Sequence, residues 1–315
     1  MELNKIYHGH CLEVLKTLPS ETVNTVVTSP PYWGLRDYGV DGQIGLENSV
    51  EEYVSALVEV FREIKRILKD DGTVWLNLGD AYAGSGKGRN ADGKGNPGKN
   101  HMQSNGQFDG IVKISKNVDG LKPKDLIGLP WRVAFALQAD GWYLRQDIIW
   151  NKPNPMPESV TDRPTRAHEY IFLLSKQPKY YYDHEAIKIP SKNPVDDRGA
   201  RGNKKRIPTN LINGIRNSGV YPKANKRSVW QVPTKPFKEA HFAVYPEDLI
   251  EPCILAGCPL DGVVMDPFFG SGTTGLVALK HGRNFIGIEL NPEYIKIAEK
   301  RLSKVQLELI HELGC

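Results

Sequence analysis

Residues 263–275 have the sequence VVMDPFFGSGTTG, which joins a short apolar run to a glycine turn and the start of a helix. This strand, turn and helix form the unit from which open, mostly parallel α/β sheets are built. Gly270 and Gly272 allow positive φ and lack a Cβ that would keep a ligand from the backbone, and Thr273 is able to cap the helix. Such sheets bind ligands beyond the carboxyl ends of their strands. The stretch therefore predicts a class of fold and a binding site.

The glycine turn by itself leaves the type of ligand open. Residues 270–275 also satisfy the G-x-G-x-x-G pattern of dinucleotide-binding proteins, and Glu289 ends the next predicted strand, where a carboxylate would hold ribose hydroxyls. A dinucleotide would place its pyrophosphate on the helix N-terminus. S-adenosylmethionine has no phosphate, and its cationic sulfonium favours a nearby acid such as Asp266. A tight strand–helix turn without a ligand is the third interpretation.

Apolar runs that alternate with amphipathic stretches extend this pattern along the chain. Strands are predicted at 25–28, 73–78, 143–150, 170–175, 263–266 and 284–290, and helices at 50–68, 126–139, 246–256, 273–281 and 292–309. The strands 143–150 and 170–175 flank a proline-rich segment and fit an antiparallel pair. The predicted fold is α/β, a doubly wound, mostly parallel sheet with an antiparallel strand pair at one edge.

Positive charge is concentrated in two stretches. The net charge is +4, yet residues 184–235 contain twelve Lys and Arg against three acidic residues, and residues 84–120 contain six against three. A protein that neutralises phosphates on one side is expected to show such a distribution. The charge therefore favours nucleic-acid binding, with a solvated basic loop as the alternative. Few apolar residues occur in 84–120, which is predicted to be a long loop.

The remaining composition excludes several classes of protein. No apolar run approaches the roughly 20 residues of a membrane helix, and the first residues lack the features of a secretory signal. A cytoplasmic protein without membrane contact is expected. The four cysteines form no C-x-x-C pair, and His8 and His10, without a carboxylate partner, are expected to pack rather than to bind a metal. We therefore predict no disulfide framework and no metal site.

A second motif follows the first predicted buried strand. Ser29-Pro30-Pro31-Tyr32-Trp33 contains two prolines, which fix φ and lack N–H donors. The Pro30 carbonyl is predicted to point outward as a rigid, unpaired acceptor beside the Ser29 hydroxyl. Two such acceptors would orient an exocyclic amine so that its lone pair faces a methyl carbon, and Tyr32 would stack on an extruded base. The alternative is a proline-capped strand end with an aromatic plug.

Together, TSPPYW at 28–33 and DPFFGSGTTG at 266–275 resemble the amino-group DNA methyltransferases, which methylate N4 of cytosine or N6 of adenine. The order, with the catalytic turn first and the cofactor loop last, is similar to their beta class, in which a Rossmann-like sheet is circularly permuted. The resemblance implies S-adenosylmethionine as cofactor and double-stranded DNA as substrate. It also implies a division into a catalytic half at 1–183, a basic target-recognition insert at 184–235 and a cofactor-binding half at 236–315.

Three groups of site residues are expected from the resemblance and the charge. The catalytic tetrapeptide is Ser29, Pro30, Pro31 and Tyr32. Cofactor contacts are expected from His10, Cys11, Asp266, Phe268, Gly270, Ser271, Gly272, Thr273 and Glu289. Contacts with the target base or DNA are expected from Trp33, Asn151, Lys152, Arg198, Arg201, Arg206 and Arg216. His10 stands where many members have an aspartate, so either a backbone carbonyl or His10 itself would hold the cofactor adenine.

Ser29 determines the predicted base. Members with Ser in the first position are typically N4-cytosine enzymes, and members with Asp typically methylate adenine N6. The prediction is a site-specific N4-cytosine DNA methyltransferase that flips the base and transfers the methyl group directly, acting as a monomer or homodimer with a possible cognate restriction endonuclease. The alternatives are an N6-adenine enzyme, an RNA amine methyltransferase and a non-enzymatic DNA-binding protein. A C5-cytosine enzyme needs a cysteine nucleophile, and Cys253 lies in a segment predicted to pack as a helix.

Overall fold

The computed structural model describes residues 1–35, 37–84, 118, 120–192, 194–196, 219–235 and 244–312. The strands are β1 (Lys5–His8), β2 (Val23–Thr28), β3 (Leu68–Leu78), β4 (Tyr143–Asn151), β5 (His168–Ser175), β6 (Ile189–Pro190), β7 (Val195–Asp196), β8 (Gly219–Val220), β9 (Lys223–Ala224), β10 (Val229–Gln231), β11 (Val263–Asp266) and β12 (Asn284–Glu289). The helices are α1 (Cys11–Thr17), α2 (Val50–Ile67), α3 (Leu129–Ala139), α4 (Glu247–Gly257), α5 (Thr273–Lys280) and α6 (Pro292–Glu312).

Eight strands form one sheet in the order β1-β12-β11-β2-β3-β5-β4-β10. Neighbouring strands are parallel except where β5 is involved, which runs antiparallel to both β3 and β4. The predicted α/β fold, with its mostly parallel sheet and antiparallel pair, is confirmed. The sheet extends one strand beyond that pair, because β10 adds in parallel to β4. The short pairs β6–β9 and β7–β8 lie outside this sheet.

The two ends of the chain interleave in one half of the sheet. Strands β11 and β12, from the last quarter of the chain, lie between β1 and β2, from its first 28 residues. Neither end could form this region alone. The interleaved order agrees with the circular permutation that the motif order predicts.

Helices cover both faces of the sheet. Along the central strands, Val26 and Met265 belong to the apolar cluster formed with α1, α2 and α3, whereas Val27 and Val264 belong to the cluster formed with α4, α5 and α6. Successive side chains of a strand point to opposite faces, so strands buried on both sides consist of nearly continuous apolar runs. This arrangement is the doubly wound packing that the sequence predicts. None of the described helices is long and apolar enough to cross a membrane.

The boundaries of most predicted elements are close to those observed, and the departures have local causes. Helix α3 begins at Leu129 rather than at 126, because Gly128 has φ 70° and Pro130 occupies the first turn. Helix α2 begins at Val50 as predicted, after the N-cap Ser49, whose side chain accepts a hydrogen bond from the Glu52 N–H at 3.1 Å. Strand β1 and helix α1 are too short to show a clear period and were not predicted.

Gly257 shows how closely helix α4 packs on the sheet. A Cβ at this position would lie 2.7 Å from Thr25 Oγ1 and 2.8 Å from Thr73 Oγ1, on two central strands. We expect Gly257→Ala to lower the free energy of unfolding by about 1–3 kcal/mol, because the helix must move away from the sheet. Helix propensity alone favours alanine by about 1 kcal/mol. Chemical denaturation followed by circular dichroism shows whether the packing effect or the helix-propensity effect is larger. A stabilised variant would contradict the packing described.

Candidate active site

The predicted catalytic turn and glycine loop leave the sheet side by side. Strand β2 pairs in parallel with β11, with Thr25 opposite Val264 and Val26 opposite Met265. The carboxyl ends of the two strands therefore lie next to each other at one edge of the sheet. Segments separated by more than 230 residues in sequence meet there, as a shared donor and acceptor site requires.

Both segments line one cavity of about 590 Å³. One part of its wall is formed by Ser29, Pro30, Pro31 and Tyr32, and another by His10, Cys11, Phe268, Gly270, Ser271, Thr273 and Glu289. The cavity also contacts residues that the sequence did not indicate, among them Asn77, Glu169, Tyr245, Asn291 and Tyr294. It therefore has room for a ligand on the glycine-loop side and a second group at the proline turn.

Asp266 does not belong to the cavity wall, and this corrects the expectation that it contacts the cofactor directly. Its carboxylate is buried and accepts hydrogen bonds from Thr28 Oγ1 at 2.6 Å, Thr274 Oγ1 at 2.7 Å, Tyr245 Oη at 2.8 Å and the Phe268 N–H at 3.0 Å. Burial raises the pKa of this carboxyl, and the four hydrogen bonds oppose the rise. Both oxygens are thus committed within the protein, where they tie the tips of β2 and β11 to helix α5.

The two glycines of the loop serve different purposes. Gly270 lines the cavity with φ 52°, and a Cβ there would find no protein atom closer than 4.0 Å, so its open side faces the cavity. Gly272 has φ 81°, and its Cβ would lie 2.9 Å from the Ala298 Cβ on α6. Gly272 is not part of the cavity wall, so its expected cofactor contact is corrected to a packing role against α6.

Arg301 fixes the rest of the loop. Its Nη1 donates to the Ser271 carbonyl at 2.6 Å, to Ser271 Oγ at 2.9 Å and to Thr273 Oγ1 at 3.0 Å. Thr273 does not cap helix α5 as predicted, because Gly272 occupies the cap position. Nothing in the local sequence connects Arg301 to this loop, since only the packing of α6 brings it there.

Glu289 closes the loop from the next strand. Its Oε2 accepts from the Gly270 N–H at 2.7 Å and its Oε1 from the Asn291 N–H at 2.8 Å. Burial raises the pKa of Glu289, and the charge of Asp266 raises it further. A carboxylate on the wall with a second one behind it creates a negative potential on this side of the cavity.

His10 and Cys11 complete this side. His10 precedes helix α1 and makes no side-chain cap, and its ring borders the cavity. Burial raises the pKa of Cys11 to about 12, so the thiol is neutral at physiological pH. Cys253 is fully buried in α4 and lies outside the cavity lining, which argues against a thiolate nucleophile.

The proline turn presents acceptors and a buried anchor. The Pro31 carbonyl accepts from Tyr53 Oη at 2.9 Å, whereas no residue within the described ranges donates to the Pro30 carbonyl. Trp33 was expected to contact the base or DNA. It is instead 1% exposed and donates from Nε1 to the Glu47 carbonyl at 2.9 Å, so the indole holds the turn on the core.

A hydrogen-bonded network lies beside Tyr32. Its hydroxyl donates to Glu169 Oε2 at 2.8 Å, which also accepts from Asn77 Nδ2 at 3.2 Å, while Lys152 Nζ donates to Glu169 Oε1. Burial raises the pKa of Tyr32 well above its usual value, and the Glu169 charge adds to this rise, so the phenol stays protonated. Strands β3, β4 and β5 bring these side chains together from distant parts of the chain.

The residues expected to contact the base or DNA differ in where the structure places them. Lys152 lines the cavity, whereas Asn151 does not, because β10 pairs beside it and its carbonyl accepts from the Val232 N–H at 3.1 Å. Asn151 therefore lies beside the edge strand β10 and outside the cavity wall, and its contact with the base or DNA stays a prediction. The predictions for Arg198, Arg201, Arg206 and Arg216, and those for most of 84–120, lie outside the described residues.

The glycine-loop side fits S-adenosylmethionine in shape and charge. Gly270 leaves open space that a side chain would fill, and the Glu289 carboxylate stands at the end of β12, where ribose hydroxyls are held in such folds. The negative potential of Glu289 and Asp266 suits a cationic sulfonium. When bound, this cofactor supplies an electrophilic methyl group.

The chain matches the DNA methylase family over residues 23–300. It is 50% identical to the type II methyltransferase M.Cfr9I of Citrobacter freundii, over 96% of this chain and 89% of that protein. It is also 50% identical to M.SmaI of Serratia marcescens, over 95% of this chain and 90% of that protein.

Solved structures with the same fold include the PvuII DNA methyltransferase, which is described as cytosine-N4-specific. It has a TM-score of 0.63 and 20% identity, and the alignment covers 97% of this chain and 91% of that one. A second is the putative DNA modification methylase TTHA0409 from Thermus thermophilus in complex with S-adenosyl-L-methionine, with a TM-score of 0.57, 23% identity and 95% coverage of both chains. The methyl donor is S-adenosylmethionine, and the chain belongs to the family of DNA methyltransferases that modify cytosine N4 or adenine N6.

Proposed function

We propose that the chain transfers a methyl group from S-adenosylmethionine to N4 of a cytosine in double-stranded DNA, after that base has left the helix. The observation that carries the proposal is the position of Ser29 and Pro30 in the same cavity as the Gly270 loop. A base stacked in a duplex cannot reach such a cavity, which is why enzymes of this kind extrude the target.

The turn acts by orienting the amine. One N–H of the amine donates to Ser29 Oγ and the other to the Pro30 carbonyl, which has no donor among the described residues. These two contacts direct the nitrogen lone pair towards the glycine-loop side of the cavity. The cytosine amine is a poor nucleophile, so orientation and exclusion of water supply most of the rate. After transfer the methylated nitrogen carries a positive charge and loses one proton to water, and no covalent intermediate with the protein is formed.

Ser29 is the basis for choosing cytosine over adenine. A neutral hydroxyl occupies the first position of the turn, where members of the family that methylate adenine typically have aspartate. The likeness to the PvuII enzyme supports the fold rather than the base, because the identity is only 20%. N6-adenine transfer is the competing function within the same family.

We further propose that residues 184–235 recognise the DNA sequence and that a restriction endonuclease acts on the same site. The excess of positive charge in this region supports the first point, and the type II names of relatives that are 50% identical support the second. Residues 1–183 and 236–315 would then form the two halves of one catalytic unit, as the interleaving of their strands suggests.

The proposed base is tested by the modified nucleoside. We expect duplex DNA methylated by the purified protein to yield N4-methylcytosine after digestion to nucleosides and mass spectrometry. Detection of N6-methyladenine in its place would reject cytosine as the target while leaving the methyltransferase assignment intact.

Ser29→Ala tests the role of the turn. We expect kcat to fall by about 100-fold, because the amine loses one of its two orienting acceptors. The dissociation constant for S-adenosylmethionine, measured by calorimetry, should stay unchanged. Ser55→Ala, on the exposed face of α2, is the matched control and should retain full activity. Equal losses in cofactor affinity and turnover would contradict an orienting role for Ser29.

Glu289→Gln tests the other side of the cavity. We expect the dissociation constant for S-adenosylmethionine to rise by about 10- to 100-fold, because a charged acceptor is lost. Turnover at saturating cofactor should change far less. Glu293→Gln makes the same substitution at an exposed position and should leave cofactor binding unaltered. Unchanged affinity in the Glu289 variant would show that another group holds the cofactor.

A further inference from the structure

The Glu169 carboxylate accepts hydrogen bonds from three side chains. Its Oε1 accepts from Lys152, and its Oε2 accepts from Tyr32 at 2.8 Å and from Asn77 at 3.2 Å. A carboxylate that already receives three donors is poorly placed to take a proton from a substrate. Its position therefore indicates that it orients the groups around it.

Most donors around the proline turn are already used. Tyr32 has a single hydroxyl proton, directed at Glu169. Asn77 uses its amide nitrogen for Glu169 and for the Tyr170 carbonyl at 3.1 Å. Lys152 has three N–H donors, of which Glu169 receives one. Among these described side chains, Lys152 is the one with donors left for a molecule in the cavity.

Two neighbours hold the Lys152 ammonium. The Trp150 ring lies on one side, with Nζ 4.2 Å from the ring centroid, and the Glu169 carboxylate lies on another. The Lys152 side chain is 18% exposed and borders the cavity, so its remaining N–H groups are available to an acceptor in the cavity. Lys235 also lines the cavity, but it pairs with Asp248 at 2.8 Å and is 58% exposed.

Building on the proposed transfer to cytosine, we propose that Lys152 donates a hydrogen bond to the O2 carbonyl of the extruded cytosine and that Glu169 is the positioning residue that orients it. The cytosine amine, at Ser29 and Pro30, lies at one end of the Watson–Crick edge, and O2 lies at the other. Lys152 is linked to the turn through Glu169, which accepts from both Lys152 and Tyr32, and its ammonium is assigned to that far end.

This contact would distinguish the two bases that the family methylates. Both offer an amine and an adjacent ring nitrogen, but adenine carries a C–H where cytosine has O2. With adenine in the cavity, Glu169 would still accept from Lys152, but the N–H group that faces O2 of cytosine would lose its acceptor, which costs free energy in a mostly buried site. The pair of Lys152 and Glu169 is therefore inferred to select cytosine.

A cycle of two proteins and two substrates tests the contact. The duplex carries the site mapped from the wild-type product, with the target either cytosine or a 2-aminopyridine C-nucleoside, which keeps the amine and adjacent ring nitrogen but lacks O2. Single-turnover transfer from tritiated S-adenosylmethionine is measured for the wild type and for Lys152→Met. Removing O2 should slow the wild type by about 10- to 100-fold. The variant should be slowed similarly on cytosine and no further on the analogue.

If Lys152→Met acting on the analogue is slowed by the product of the two separate effects, the variant's and the analogue's, the role of Lys152 is overturned. That result differs from failure of the proposed function, which would appear earlier as N6-methyladenine made by the wild type. The Lys152→Arg variant retains a charged donor, so its transfer rate should still fall when the O2 carbonyl is removed from the target base. Calorimetric binding of S-adenosylmethionine confirms that each variant is folded.

Glu169→Gln provides a second route, which also serves if Lys152→Met loses cofactor binding. The substitution keeps the shape of the side chain but removes the charge that orients Lys152. We expect the ratio of the transfer rate on cytosine to the rate on the analogue to be about 10-fold smaller in this variant than in the wild type. A purely structural role for Glu169 would lower the rates on both substrates equally, and an unchanged effect of O2 would overturn the positioning role.

Discussion

The Asp266 carboxylate is the interaction on which the site depends. It is buried at the junction of β2, β11, α5 and the Tyr245 side chain, and each of its four hydrogen bonds comes from a different part of this junction. An ionised carboxylate is stable in such a place only when every lone pair is used. That requirement sets the two strand tips beside each other, so the proline turn and the glycine loop open into one cavity.

The fold could be predicted because the spacing of apolar residues that marks each strand and helix is a local property of the sequence. The predicted strand at 263–266 has the same bounds as β11, and the order of the two motifs predicted the permuted sheet. The site was predicted less completely. Trp33 and Gly272 are adjacent to true wall residues, but sequence adjacency does not show which side of a turn faces the ligand. Arg301 and Glu169 gain their importance from strands and helices that pack only in the folded protein, so no local pattern could indicate them.

The two halves of the cavity differ in charge. On the cofactor side, Glu289 and Asp266 keep negative charge near the place for a cationic ligand, and backbone amides hold the Glu289 carboxylate still. At the proline turn the polar groups are neutral or paired, as Lys152 and Glu169 are, so a neutral base meets oriented dipoles rather than a strong field. Arg301 holds the glycine loop from α6, and Tyr32 ties the proline turn to Glu169 on β5, so each side of the cavity is anchored to a distant part of the chain.

The interleaving of β11 and β12 between β1 and β2 has a consequence for synthesis on the ribosome. The first strands emerge early, yet the partners that separate them are translated only in the last sixth of the chain. Until then β1 and β2 have unpaired edges, which nascent proteins must protect from aggregation. A prematurely terminated polypeptide would lack the two strands that join β1 to the rest of the sheet, so enzymatic activity arises only once translation is nearly finished.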